Sequence, residues 1–152
     1  MKIYLSACYR RQLEMQRVAR ELQTFGHEIT SRWILEEPFP IEEHRQPVQA
    51  RARRAQRNLI DLAQSDCLIA FTEQPPSGPG RGGRHVELGI ALANGLRTIV
   101  VGWHENLFHT LVEFYPSWEE AKPRFSPPPS NLSLFAAARP GKESLTVKSE
   151  TS

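Results

Sequence analysis

The 152-residue sequence predicts an α/β fold with a mostly parallel five-stranded sheet between two layers of helices. Two continuous apolar runs, Asp66–Phe71 and Thr98–Gly102, have the length of buried parallel strands and enclose a helix-length segment. Similar alternation of strands and helices through the chain predicts right-handed crossovers and a three-layer, Rossmann-like sandwich. Ligands of such sheets bind beyond the carboxyl ends of the strands, so we expect the site at that edge.

The first part of the chain supplies two strands and one helix. Lys2–Ser6 is the first predicted strand, and a helix follows from about Arg10 to Phe25, where Gly26 provides the stop. His27–Trp33 is predicted as the second strand because it contains β-branched residues.

A second helix is predicted over Pro47–Gln64. One apolar stripe at helical spacing should face the core, formed by Val48, Ala52, Ala55, Leu59 and Leu62. At about 100° per residue, Asn58 falls at the edge of this stripe, and Asp61 is expected to face water.

The sequence patterns that predict the last elements are weaker. A helix from Arg84 to Gly95 links the two apolar runs, and Leu111–Phe114 is predicted as a fifth, edge strand. Ser117–Glu120 has a capping-box pattern for a short helix that Pro123 ends. We therefore expect an ordered domain over residues 1–122 and a disordered tail rich in Pro, Ser and Lys over 123–152.

Composition excludes several classes of protein. The net charge of +2 gives no electrostatic basis for binding nucleic-acid polymers, and no apolar run is long enough to cross a membrane. Cys8 and Cys67 are expected to be reduced thiols of a cytoplasmic protein. His104 and His109 are five apart without a cysteine pair, so no metal site is predicted.

A glycine-rich loop precedes the predicted central helix. Gly78, Gly80 and Gly83 match G-x-G-x-x-G, but six residues separate the loop from the preceding strand, and Arg84 fails the P-loop pattern. The loop is either a flexible surface segment or a backbone that approaches a ligand at the helix N-terminus. A dinucleotide site with Glu105 near the ribose is a third possibility.

Glu87 is the only charged residue between Val86 and Leu96. It is either a first-turn acid that favours the helix dipole or a carboxylate at the mouth of a pocket. An ionised carboxylate in such a place can attack the anomeric carbon of a sugar and form a glycosyl–enzyme ester.

Polar and aromatic residues near the ends of the first two strands are further candidates. Tyr9 or Arg10 can contact a phosphate, whereas Arg11 is expected on a solvated face. Trp33 either stacks on a base or belongs to the core.

Several segments together resemble one family, the nucleoside 2-deoxyribosyltransferases, which include deoxynucleoside 5'-monophosphate N-glycosidases. The resemblance runs from Lys2 to about Ala121. It is carried by Lys2-Ile3-Tyr4-Leu5-Ser6, by Gly26–Trp33, by Asn58-Leu59 with Ser65–Ile69, and by Val86-Glu87-Leu88-Gly89 with Ala91.

The resemblance implies a flavodoxin-like sheet, a homodimer or larger homo-oligomer, and cleavage or exchange of the N-glycosidic bond of a (deoxy)nucleoside or its 5'-monophosphate. It places the nucleophile on Glu87 and the sugar and phosphate contacts on Ser6, Tyr9 and Arg10. The loop before the nucleophile falls on Gly80, Gly82, Gly83 and Arg84. The reaction needs no metal or redox cofactor.

One residue departs from the family pattern. The family usually has an aspartate where this chain has Asn58, and an amide cannot exchange a proton. The alternative function is therefore a non-catalytic nucleotide-binding module of the same fold.

Overall fold

The computed structural model describes residues 1–37, 46–74 and 82–127. Its centre is a five-stranded sheet in the order β2-β1-β3-β4-β5, and every neighbouring pair is parallel. The predicted fold class is thus confirmed. The strands are β1 (Lys2–Ser6), β2 (Glu28–Ile29), β3 (Cys67–Phe71), β4 (Arg97–Val101) and β5 (Glu113–Tyr115).

Helices cover both faces of the sheet. The α-helices are α1 (Gln12–Thr24), α2 (Val48–Ala63), α3 (Gly83–Ala93) and α4 (Trp118–Ala121), and short 3-10 helices span Tyr9–Arg11, Arg32–Leu35, Leu107–Leu111 and Lys122–Arg124. Helix α2 contacts α3, whereas α4 is joined to α1 by a 2.8 Å hydrogen bond from Trp118 Nε1 to Glu21. Among the helices in the described ranges, none has the length and apolar character needed to cross a membrane.

The core is centred on the two middle strands. All five residues of β3 are at most 1% exposed, and Ile99, Val100 and Val101 of β4 are at most 3% exposed. This burial on both faces explains the continuous apolar runs in the sequence. Cys67 is buried and Cys8 is partly buried, and both thiols are free.

The second strand is shorter than predicted. It ends at Ile29, and Arg32–Leu35 forms a 3-10 helix instead. Ser31 causes part of this change, because its Oγ accepts the Leu5 backbone N–H at 3.1 Å, a donor that a longer strand would bond through its backbone. Trp33 therefore belongs to a helical turn and not to the sheet.

Helix α2 packs against the core with a different face from the predicted one. Of its apolar stripe only Leu62 is buried, whereas Val48 is 70% and Leu59 45% exposed. Asp61, expected to face water, is 1% exposed. Its carboxylate accepts the Arg32 backbone N–H at 3.0 Å and forms a 2.6 Å ion pair with the Arg32 guanidinium, because the 3-10 turn packs against the helix.

The C-terminal elements extend beyond Pro123. The fifth strand is Glu113–Tyr115, slightly later than predicted, because Leu107–Leu111 forms a 3-10 helix. Ser117 is the N-cap of α4, as predicted, and accepts the Glu120 N–H. Phe125 is 3% exposed with its ring centroid 5.9 Å from that of Trp118, so the packed chain reaches this residue. Most of the predicted tail, residues 128–152, lies outside the described residues.

Candidate functional site

The strand order places a topological switch point between β1 and β3. Strand β2 lies on one side of β1, and β3, β4 and β5 follow on the other. Ligands of open α/β sheets bind beyond the carboxyl ends of the strands at such a point. Ser6 is the last residue of β1, and Glu87 lies in the helix that follows β3 in the chain.

Gly82 is the N-cap of the helix that carries Glu87. Its φ of +73° lies in the left-handed region that L side chains rarely adopt, which explains a glycine at this position. The Gly82 carbonyl accepts the backbone N–H groups of His85 at 3.0 Å and Val86 at 3.1 Å. These hydrogen bonds fix the start of the helix about one turn before Glu87.

Two hydroxyl groups of β1 hold the Glu87 carboxylate. The Tyr4 hydroxyl donates to Oε1 at 2.8 Å, and Ser6 Oγ donates to Oε2 at 2.5 Å. Tyr4 and Ser6 lie two residues apart, so both side chains point to the same face of the sheet. The strand therefore presents one donor to each carboxylate oxygen.

The Glu87 carboxyl group is largely enclosed by protein, and the side chains that affect its pKa are uncharged. Burial raises the pKa of this carboxyl group, and the hydrogen bonds from Ser6, Tyr4 and Asn58 oppose that rise. Within the described ranges no ion pair with Glu87 is found. Burial, followed by the charge of Glu87, also raises the pKa of the Tyr4 hydroxyl far above its ordinary value. Tyr4 therefore remains a donor to Glu87, and the Glu87 carboxyl group has no counter-ion among the described residues.

Asn58 completes this group from helix α2. Its Nδ2 lies 3.4 Å from Glu87 Oε1, a long contact, and its Oδ1 is buried without a hydrogen-bond partner among the described residues. An unpaired buried acceptor costs about 1–3 kcal/mol. A ligand N–H or O–H group that reached Oδ1 would remove this cost.

Tyr9, Arg10 and Trp33, the remaining contact residues predicted near β1, differ from one another in burial and hydrogen bonding. The Tyr9 hydroxyl donates to the Glu37 carbonyl at 2.9 Å, and Arg10 is exposed. Trp33 is 7% exposed and donates its Nε1–H to the Leu5 carbonyl at 2.8 Å. Of the two alternatives for Trp33, the structure therefore matches the core residue.

The contact residues predicted at the start of α3 also differ in their surroundings. Gly82 is the N-cap of the helix and Gly83 its first residue, and Gly80 lies outside the described residues. The Arg84 guanidinium pairs with the Glu105 carboxylate, and both side chains are at most 10% exposed. Glu105, considered for a ribose contact, is thus engaged by an arginine.

Arg11 differs from its prediction. It donates to the Thr72 carbonyl at 3.0 Å and lies over the Phe71 ring, with 5.4 Å from its Cζ to the ring centroid. The side chain ties the start of α1 to the end of β3 and does not extend into solvent, because a carbonyl at the strand end needs a donor.

Two of the cavities that the described residues line are situated away from Glu87. One of about 140 Å³ lies between α1 and the 3-10 turn at Arg32–Leu35, and one of about 380 Å³ lies beside Trp103 and Phe114. Glu87 lines neither of them. The segments 38–45 and 75–81, which precede α2 and α3 in the chain, lie outside the described residues.

Fold and site together define an α/β protein of strand order 2-1-3-4-5 with a hydroxyl-bonded carboxylate at the carboxyl edge of β1. Solved structures that share its fold include the following two enzymes. A 2-deoxyribosyltransferase from the psychrotolerant bacterium Bacillus psychrosaccharolyticus is similar with a TM-score of 0.62 and 16% identity, over 83% of this chain and 96% of that one. The CMP N-glycosidase BcmB from Clostridium botulinum is similar with a TM-score of 0.53 and 17% identity, over 82% of this chain and 97% of that one.

At these identities the similarity establishes the fold. It agrees with the resemblance in the sequence at the level of fold. Comparison with protein-family profiles finds no match, and comparison with curated protein sequences finds none either.

Proposed function

We propose that this chain cleaves or exchanges the N-glycosidic bond of a (deoxy)nucleoside or its 5'-monophosphate, with Glu87 as the nucleophile. The observation that supports this most strongly is the Glu87 carboxylate. Each of its oxygens accepts one hydroxyl hydrogen bond, at 2.8 and 2.5 Å, and it has no cationic partner among the described residues. A carboxylate held in place but not neutralised is suited to attack an electrophilic carbon.

The reaction follows the retaining pattern. One Glu87 oxygen attacks C1' of the sugar, the bond from C1' to the base nitrogen breaks, and a glycosyl–enzyme ester forms. The base leaves with the bonding electron pair and takes a proton from solvent, and the nucleophile that resolves the ester returns one to solvent. Water or a second base then attacks C1', breaks the ester and regenerates the carboxylate.

The donors around Glu87 have separate tasks in this scheme. Tyr4 and Ser6 orient the carboxylate and stabilise its charged form. Asn58 Oδ1, buried without a partner in the described residues, accepts a hydrogen bond from the substrate. Ser6, Tyr9 and Arg10 at the carboxyl end of β1 lie along the sugar and its 5' group, and Gly82, Gly83 and Arg84 adjoin the ligand.

The structural neighbours support the substrate class. One is named a 2-deoxyribosyltransferase and the other a CMP N-glycosidase. Both names describe chemistry at a sugar carbon, and the same fold here carries a carboxylate at the ligand-binding edge of the sheet.

Base release tests this function directly. The protein is incubated with the common deoxynucleosides and their 5'-monophosphates, and free bases are separated by chromatography. We expect release from at least one of these substrates above the rate in buffer. Absence of release from all of them, with and without an acceptor base, would contradict the proposal.

Asn58→Asp should increase the rate of base release. An acid at this position can donate a proton to the leaving base, and general acid catalysis contributes about 10²–10⁴-fold in enzymes. Because two carboxylates close together share a proton, the acid form of one is favoured near neutral pH. The measurement is the initial rate of base release, with Asn94→Asp at the C-terminus of α3 as the matched control. An unchanged rate would show that the proton comes from elsewhere.

A non-catalytic nucleotide-binding module is the second candidate. Asn58 favours it, because an amide supplies no proton to a leaving base. This function predicts a saturable rise in the melting temperature with nucleotide and no base release. Turnover by the native protein, lost in a Glu87 variant, would exclude it.

Helices α2 and α3 supply a surface for self-association. Leu59 is 45% and Ile60 51% exposed on α2, and Val86 is 62% exposed on the adjoining α3. Exposed apolar side chains on neighbouring helices are typical of interaction surfaces. We propose that a second copy of the chain covers them, as in a homodimer or larger homo-oligomer.

Leu59→Glu should convert the oligomer to a monomer, because it places an unpaired charge in this interface. The expected loss of association is at least about tenfold in the dimer dissociation constant. Light scattering during size-exclusion chromatography measures it. Leu13→Glu on α1, where Leu13 is 74% exposed, is the matched control and should leave the mass unchanged. Native protein that is already monomeric at high concentration would refute the interface.

A further inference from the structure

Apolar and aromatic side chains are exposed in the segment that follows β4. Trp103 is 48% and Phe108 53% exposed, and Leu107 and Leu111 are 71% and 70% exposed. The 3-10 helix that carries the last three contacts β5, the last strand of the sheet. Exposed apolar side chains that are concentrated in one short segment are typical of a surface that another segment covers.

A cavity of about 380 Å³ opens beside Trp103 in this segment. It is lined by Gly102, Trp103, His104, Phe114 and Pro116. Its volume is within the range of about 300–1,000 Å³ that is usual for pockets lined mainly by apolar and aromatic residues. The cavity is therefore suited to an apolar group.

Contacts within the fold fix the walls of the cavity. Gly102 has a φ of +122°, and a Cβ atom there would meet the Thr72 carbonyl oxygen at 2.7 Å, so the turn after β4 requires glycine. The Trp103 N–H donates to Thr72 Oγ1 at 2.5 Å, and the His104 ring packs on the Phe114 ring with 4.0 Å between their centroids. The cavity is thus formed before an occupant binds.

The concave shape of this surface favours an occupant that projects a side chain. In a twofold dimer both copies present the same surface to each other. A dimer through this surface would place one cavity opposite the other and leave both without an occupant. A separate segment with a bulky apolar residue can fill the cavity instead.

The C-terminal part of the same chain contains such a segment. Residues 132–138 read Leu-Ser-Leu-Phe-Ala-Ala-Ala and carry no charge, within a tail that is otherwise rich in Pro, Ser and Lys. We call residues 132–138 the apolar segment. Its largest side chain is that of Phe135, which follows Leu134.

The apolar segment is near enough in the chain to reach the cavity. Phe125 packs at the start of β4, where the Arg97 Cζ lies 5.4 Å from its ring centroid. Trp103 comes six residues after Arg97, which is roughly 20 Å along an extended strand. A proline-rich spacer spans about 3.1 Å per residue, so Leu132 can lie about 22 Å and Phe135 about 31 Å from Phe125.

We propose that the apolar segment packs against Trp103 of its own chain, with the Phe135 ring in the cavity between Trp103 and Phe114. The connection through the chain favours this contact over one with a second copy, because a short linker gives an effective concentration of about millimolar. The contact does not depend on the function proposed for Glu87.

Hydroxyl-radical footprinting of the full chain tests this contact, since peptide mass spectrometry then gives the solvent access of each side chain. A pocket buries about 70–90% of the surface of its occupant, so Phe135 should be oxidised at least about threefold more slowly in the native chain than in Trp103→Ala. Leu13→Ala on α1, where Leu13 is 74% exposed, is the control for Trp103→Ala and should leave Phe135 protected.

The reciprocal variant is Phe135→Ser, which should make the oxidation of Trp103 faster. Leu145→Ser, later in the same tail, is its control and should leave the oxidation of Trp103 unchanged. Protection should be equal at low and high chain concentration, because the contact lies within one chain. Equal oxidation of Phe135 in the native chain and in Trp103→Ala would overturn the proposal. Protection of Trp103 that rises with chain concentration and persists in Phe135→Ser would assign the surface to a second copy and overturn it as well.

Discussion

Replacing Glu87 with glutamine is expected to lower the rate of base release at least about a thousandfold, which corresponds to about 4 kcal/mol of transition-state stabilisation. An amide oxygen is a far weaker nucleophile than a carboxylate, so the glycosyl–enzyme ester does not form. Glutamine is isosteric and can still accept from the Tyr4 hydroxyl while donating to Ser6. The fold and substrate binding should therefore persist, and the loss should fall on kcat.

Two measurements separate this result from a general loss of structure. Glu119→Gln on α4, where the Glu119 side chain is 79% exposed, should leave the rate unchanged. Intact-mass spectrometry after acid quenching should find one added sugar on the native chain and none on Glu87→Gln. If Glu87→Gln released the nucleobase at the native rate, the proposed enzymatic role of Glu87 would be contradicted. If the variant lost activity but the native chain carried no sugar adduct, Glu87 would act as a general base and not as a nucleophile.

The parts of the fold that depend on local pattern were predictable. Burial on both faces makes β3 apolar throughout and β4 apolar from Ile99 to Val101, so both runs stand out in the sequence. Their alternation with helices then predicts the parallel sheet. The structure confirms this fold, and its strand order adds the switch point near Ser6.

The orientation of α2 was not predictable from its own pattern. Periodicity identifies an apolar stripe but does not say whether the same chain or a second copy covers it. Here Val48 and Leu59 are exposed, and Asp61 is buried because Arg32, far away in sequence, supplies both a guanidinium and a backbone N–H. Such a contact exists only after a 3-10 turn replaces the end of the second strand.

The candidate site was predictable in part. Glu87 stood out because it is an isolated charge in an apolar helix, and Ser6 because it ends a strand. Tyr4 was missed as a site residue, although period-two alternation places it on the same face of β1 as Ser6. Asn58 came from the resemblance, and its contact with Glu87 is a long 3.4 Å.

Trp33→Ala is expected to reduce the free energy of unfolding by about 3–5 kcal/mol. The indole is 7% exposed, and its Nε1–H donates to the Leu5 carbonyl at 2.8 Å between Tyr4 and Ser6. Alanine therefore leaves a cavity and removes a hydrogen bond next to the residues that hold Glu87. Urea denaturation followed by far-UV circular dichroism measures the change.

Trp33→Phe and Trp103→Ala are the matched comparisons. Phenylalanine retains most of the buried ring and loses one hydrogen bond, so about 1 kcal/mol is expected. Trp103 is 48% exposed, and its loss should cost less than about 1 kcal/mol. If Trp33 served only to stack on a base, Trp33→Ala would leave the unfolding transition in place and weaken nucleotide binding alone. Full native stability of Trp33→Ala would therefore contradict a packing role for Trp33 beside β1 and would favour a contact with the ligand.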